Sequence, residues 1–158
     1  MSQQAVEILL VEDNPDDVTL AVTALKRDKL ANRIEVARDG EEALDFLFCR
    51  GLYAHRSFQE PPRLVLLDLK LPKRDGLEVL REIKSDLRTK AIPVVILTSS
   101  REEQDMVSGY HLGVNAYIQK PVDFVQFREV VKQLGLFWLV VNQAPPLGAF
   151  LPVDTAKV

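Results

Sequence analysis

One cysteine, Cys49, is all the chain has, which excludes an internal disulfide and any multi-cysteine metal cage and fits a reducing compartment. Histidine is nearly as scarce. His55 and His111 stand alone, with no metal-ligand spacing around either. No basic run exists, and 20 Lys and Arg against 23 Asp and Glu leave a net charge of −3, so neither nucleic acid nor an anionic membrane is an expected partner. The longest apolar run, Leu136 to Val141, is far below the ~20 residues that span a bilayer. The amino terminus, Met1-Ser2-Gln3-Gln4, lacks the positive region of a secretory peptide, and acid appears by Glu7. A cytoplasmic location is therefore expected. Internal repeats and low-complexity tracts are absent as well. What is present is 158 residues, 47% hydrophobic and 27% charged, enough for one ordinary α/β domain with its own core.

Short apolar runs alternate with amphipathic stretches, the signature of βαβ units around a parallel sheet. Strands are expected over Val6 to Val11, Arg33 to Ala37, Arg63 to Asp68, Ile92 to Thr98 and Val114 to Gln119. Asn14-Pro15 opens the first helix, with a capping side chain followed by proline at the first helical position. Asp39-Gly40 introduces the second, Asp75-Gly76 the third, and Asp123 caps the last. Inward stripes are expected at Val18, Ala21, Val22 and Leu25, at Leu80, Ile83 and Leu87, at Met106, Val107 and Tyr110, and at Phe127, Val130, Val131 and Leu134. Right-handed crossovers leave few arrangements of five strands and five helices, and the doubly wound, flavodoxin-like order 2-1-3-4-5 is the commonest. Arg50 to Pro62 is a longer, polar connection. The domain is expected over residues 1–141, and 142–158, with Pro145-Pro146 and Pro152, reads as a tail with no effector domain.

In an open parallel sheet, ligands bind at the carboxyl ends of the strands. There the chain places Glu12 and Asp13 after strand one, Asp68 at the end of strand three, Thr98 at the end of strand four and Lys120-Pro121 after strand five. Clustered carboxylates repel one another, and a hard divalent cation with oxygen ligands removes that conflict, as Mg²⁺ does beside a phosphate. An ionised Asp68 can then act as a nucleophile without a general base. The cation and Lys120 would offset the repulsion of an incoming phosphoryl group, and Thr98 supplies a donor for one of its oxygens. Each residue alone has a plainer reading. Asp13 and Asn14 cap a helix, Asp68 forms a turn, Thr98 is a β-branched strand residue, and Lys120 is a solvated loop lysine. Their meeting at one sheet edge is what favours a site.

The runs Ile8-Leu9-Leu10-Val11-Glu12-Asp13-Asn14, Leu66-Leu67-Asp68-Leu69-Lys70-Leu71-Pro72-Lys73-Arg74-Asp75-Gly76 and Ala116-Tyr117-Ile118-Gln119-Lys120-Pro121 resemble two-component response-regulator receiver domains, over about Val6 to Gly135. The resemblance implies that Asp68 is the phosphoacceptor. It implies that Glu12, Asp13, Asp68 and the Lys70 backbone carbonyl hold Mg²⁺ or Mn²⁺. It makes Thr98 the switch hydroxyl, Lys120 the phosphoryl contact, Tyr117 the aromatic that changes rotamer, and Lys120-Pro121 a cis peptide. The long 50–62 connection and the ending Phe137-Trp138-Leu139-Val140-Val141-Asn142 are similar to those of stand-alone cyanobacterial phytochrome-associated regulators, which implies a phytochrome-type histidine kinase as donor.

The added phosphoryl charge is expected to draw Thr98 toward it and to let Tyr117 fill the vacated space, changing the surface of the fourth helix, fifth strand and fifth helix. With no effector domain expected, the signal is expected to leave by protein contact, to a downstream protein the sequence does not identify. Leu136 to Val141 make the end of the last helix apolar all round. A homodimer through that helix, with Phe137, Trp138 and Val141 at the interface, is the first expectation and a kinase-docking surface the second; a Pro-rich tail folded back over it in a monomer is the plainer alternative. Two other classes compete for the whole chain. A Mg²⁺-dependent aspartyl-nucleophile phosphohydrolase generally needs a second acid two residues after the nucleophile, where Lys70 stands. A phosphorylation-independent scaffold would lack one of the acceptor, metal acids, hydroxyl or lysine, and none is missing. The chain is therefore expected to be a phosphoacceptor and not an enzyme.

Overall fold

The computed structural model describes residues 6, 8–26, 33–108 and 110–135. Among them run β1 (Ile8–Val11), α1 (Pro15–Lys26), β2 (Ile34–Ala37), α2 (Gly40–Leu47), a 3-10 turn (Gly51–Tyr53), β3 (Leu64–Asp68), α3 (Gly76–Ser85), β4 (Val94–Thr98), α4 (Arg101–Ser108), β5 (Ala116–Gln119) and α5 (Phe124–Gln133). The sheet is parallel throughout, in the order β2-β1-β3-β4-β5. That is the doubly wound order expected. The interface residues Phe137, Trp138 and Val141 and the tail from 142 lie outside the described residues.

Why the central strands read as unbroken aliphatic runs follows from the two cores. Side chains alternate across a strand, so each run feeds both faces. Ile8, Leu10, Leu64, Leu66, Val95 and Leu97 pack under α1 and α5. Leu9, Val11, Val65, Leu67, Val94 and Ile96 pack under α2, α3 and α4. All twelve are at most 1% exposed. The helix starts are those the sequence marks: Asn14 Oδ1 accepts the Asp16 and Asp17 amides, and Asp39, Asp75 and Asp123 each accept the amide three residues on.

Several inward assignments do not hold. Leu87 is 83% exposed because α3 ends at Ser85, before the next turn of the stripe. Met106 and Tyr110 are about half exposed, since the short α4 buries only Val107 and ends at Ser108. Cys49 lies past the end of α2, in a left-handed conformation with φ 57°. All five strands start one or two residues later than read. The polar 50–62 connection is a packed strap. Tyr53 meets Phe46 edge-on at 5.1 Å and donates its hydroxyl to Glu42 at 2.8 Å, while the Arg56 guanidinium lies 3.6 Å over the Phe46 ring.

Candidate phosphoacceptor and metal site

Strand parity places the site. Glu12, Asp68 and Lys120 continue the alternation of Leu10, Leu66 and Ile118 beyond the core facing α1 and α5. Thr98 and Tyr117 follow the other alternation, with Ile96 over α4. Glu12 is 1% exposed, Asp68 5% and Thr98 1%, whereas Asp13 is exposed. One carboxylate oxygen from each of Glu12, Asp13 and Asp68 lies within 4.8 Å of the others.

Lys120 is the hub. Its Nζ donates to Glu12 Oε1 at 3.0 Å, Asp17 Oδ2 at 3.1 Å and Asp68 Oδ2 at 3.3 Å. The Lys120 amide also bonds the Thr98 carbonyl at 2.7 Å, fixing the end of β5 beside β4, and the Lys120-Pro121 peptide is cis as expected. Among the described residues, Asp68 Oδ1 receives only the distant Lys70 amide, at 3.5 Å, and is the freer oxygen. Among the described residues no hydrogen bond joins the Thr98 hydroxyl to Asp68.

Burial pushes the Glu12 carboxyl up to about 7, helped by the charge of Asp68, against the Asn14 amide and Lys120, which favour its ionised form. Burial also works against the charge on Lys120, but Glu12, Asp68 and Asp17 together hold its pKa above the ordinary lysine value. One lysine thus does not neutralise this group of acids. An all-oxygen donor set with surplus negative charge at one point is what a hard divalent cation requires. The residues fit it.

Three contributors were not singled out by the sequence reading. Asp17, one turn after Asp13, shares Lys120. Glu103 accepts the Ser99 amide at 2.7 Å and pairs with Lys70 at 3.4 Å, tying the β4–α4 turn to the loop after β3. Its signal was legible: Ser100-Arg101-Glu102-Glu103 has capping-box spacing, and Ser100 Oγ accepts the Glu103 amide. Ser108 is hydrogen-bonded to the Tyr117 hydroxyl at 2.9 Å. Gly76 is required by close approach, since a Cβ there would strike the Asp68 carbonyl and Leu69 Cα.

A family model described as the response regulator receiver domain matches residues 8–132. The probable methanogenesis regulatory protein FilR2 of Methanothrix harundinacea is 43% identical over 87% of this chain and 86% of its own. Response regulator Rcp1 of Synechocystis is 42% identical over 87% of this chain and 92% of its own. Among solved structures, the bacteriophytochrome response regulator AtBRR is 56% identical with a TM-score of 0.79, covering 86% of this chain and 96% of that one. The phosphorylated cyanobacterial phytochrome response regulator RcpA is 43% identical with a TM-score of 0.69, over 90% of this chain and 100% of that one. The Mn²⁺-bound form of Rcp1 is 40% identical with a TM-score of 0.68, over the same shares. Among the described residues, no helix is long and apolar enough to cross a membrane.

Proposed function

This chain belongs to the response regulator receiver family, and we propose from that premise that it accepts a phosphoryl group from a histidine kinase on Asp68 and signals by protein contact. The observation that carries the reading is the meeting of Asp68 with Glu12, Asp13 and Lys120 at one sheet end. Glu12, Asp13, Asp68 and the Lys70 carbonyl would hold Mg²⁺ or Mn²⁺, which when bound would supply positive charge to offset the repulsion between these acids and a phosphoryl group. A carboxylate oxygen of Asp68 attacks phosphorus in line. The new bond is oxygen to phosphorus; the bond broken is that from phosphorus to the donor imidazole nitrogen, which keeps the electron pair. The product is an acyl phosphate, with Lys120 contacting its oxygens and orienting them.

The switch then runs through Thr98 and Tyr117, whose side chains share the α4 face of the sheet. Thr98 moves toward a phosphoryl oxygen, and Tyr117 leaves Ser108 for the space vacated. A phytochrome-type kinase is the donor this reading prefers, because AtBRR and RcpA are named as phytochrome response regulators. A homodimer through Phe137, Trp138 and Val141 is the proposed output form, resting on the apolar run in the sequence. Light scattering of Trp138→Ala tests it: a dimer mass unchanged from wild type removes that residue from the interface.

Incubation with Mg²⁺ and a small acyl-phosphate donor, followed by intact mass before and after mild base, tests the acceptor. One base-labile phosphoryl group is expected on the wild type and none on Asp68→Asn or after chelation. Persistent labelling of Asp68→Asn would refute the assignment. Rapid, sustained turnover of a small phosphate ester would favour the phosphohydrolase reading instead.

A further inference from the structure

The opposite end of the sheet carries a groove of the opposite sign. Between the end of α3, the start of β4 and the turn before β5 lies a cleft of about 640 Å³, lined by Arg81, Lys84, Lys90, His111, Ala91 and Leu112 among others. No carboxylate lines it among the described residues, in a chain whose net charge is −3. Lys84 Nζ donates to the Ile92 carbonyl at 2.8 Å, the Lys90 carbonyl at 3.0 Å and Asn115 Oδ1 at 3.5 Å. All three acceptors are neutral. Burial accordingly holds its pKa below the ordinary lysine value, with no acid to compensate. Arg81 lies over the Tyr110 ring at 5.5 Å. Neither Arg81 nor Lys90 forms an ion pair among the described residues. The adjoining cleft, which Arg81 and Ser85 also line, holds Glu82 and Asp86, and these acids pair with Arg74 and Arg88.

We infer that this groove docks an acidic segment of a partner protein, with glutamates or aspartates interleaved with apolar residues. Charge complementarity calls for carboxylates, and Ala91 and Leu112 offer an apolar floor between the cations. A small phosphate fits less well. Its sites converge several free donors on one point, whereas Lys84 has spent its protons on protein oxygens and contributes charge alone. The inference does not depend on Asp68, so either can fail without the other.

The test uses the full chain and a short fluorescein-labelled synthetic peptide of alternating glutamate and leucine, with a glutamine-for-glutamate peptide as control, at low ionic strength. The acidic peptide binds, added salt weakens it, and amide shifts centre on Ala91, Leu112 and Gly113. The double variant Arg81→Gln, Lys90→Gln loses affinity about tenfold, while acyl-phosphate labelling stays at the wild-type level, showing that it folds. Equal binding of the glutamine peptide, undiminished binding by the double variant, shifts on another face, or binding of inorganic triphosphate without the peptide would each overturn the inference.

Discussion

At the carboxyl end of the sheet Glu12, Asp13 and Asp68 cluster, and one lysine meets Glu12 and Asp68; at the amino end Arg81, Lys84 and Lys90 share a cleft with no carboxylate among the described residues that line it. The two ends resolve their charge by different means. Glu12 and Asp68 stand at the ends of adjacent strands on the same alternation, and a partly buried Lys120 meets both. Lys84 arrives from the last turn of α3 and settles on backbone carbonyls, which satisfy its protons but leave its charge unmatched. The first end has too much negative charge in too small a space, a condition that suits a cation. The second has positive charge spread along an open cleft, which suits an extended anion.

The largest effect is expected from removing the hub. Lys120→Met should slow phosphoryl uptake from an acyl-phosphate donor by about 10²–10³-fold, the usual cost of one lost donor to a developing charge. Intact-mass time courses measure this, and an unchanged rate would detach Lys120 from the chemistry. Next comes Glu12. Between its ordinary 4.5 and about 7, the folded chain holds a proton on Glu12 that the unfolded chain has released. Stability of the metal-free chain therefore falls as pH rises across that window and levels off above it. Glu12→Gln should remove this slope and raise stability at pH above 7 by up to about 3 kcal/mol, while weakening the stabilisation that added Mg²⁺ gives. Thermal melts at several pH values decide it; a slope retained in the variant assigns the effect elsewhere.

A pair of glycines sharpens the contrast between the ends. Gly76→Ala forces a Cβ against the Asp68 carbonyl and should cost about 1–3 kcal/mol and depress labelling together. Gly113→Ala meets only ordinary contacts with Lys84, but its φ of 83° imposes about 1–2 kcal/mol of strain, with labelling intact. The smallest change is Lys84→Met. It strips the Lys90 and Ile92 carbonyls of a half-buried donor, for about 1 kcal/mol by chemical denaturation, and reduces binding of the acidic peptide.

The helix starts were legible because Asn14, Asp39, Asp75 and Asp123 act on amides two or three residues away, within reach of a local rule. So were the central strands, since a run covered on both faces has no polar position. Leu87 and Tyr110 were misplaced because periodicity was carried past the residue where a helix stops, in α4 past Gly109, a residue type that marks helix ends; Met106 lies within α4, but that short helix buries Val107 alone. The partnership of Asp17 with Lys120 spans 103 positions and leaves no local trace. Tyr53 likewise looked like one residue of a polar loop until Phe46 and Glu42 came to meet it.

Residue order alone was enough to set the alternation of strands and helices, the topology open to it, and the acids, hydroxyl and lysine delivered to one edge, because each follows from short-range patterning and the handedness of crossovers. Which charges share a lysine, which are sealed from water, and that a cleft of unmatched cations lies at the far end were settled only by packing. Electrostatic energy depends on distance and burial, and both are properties of the folded chain.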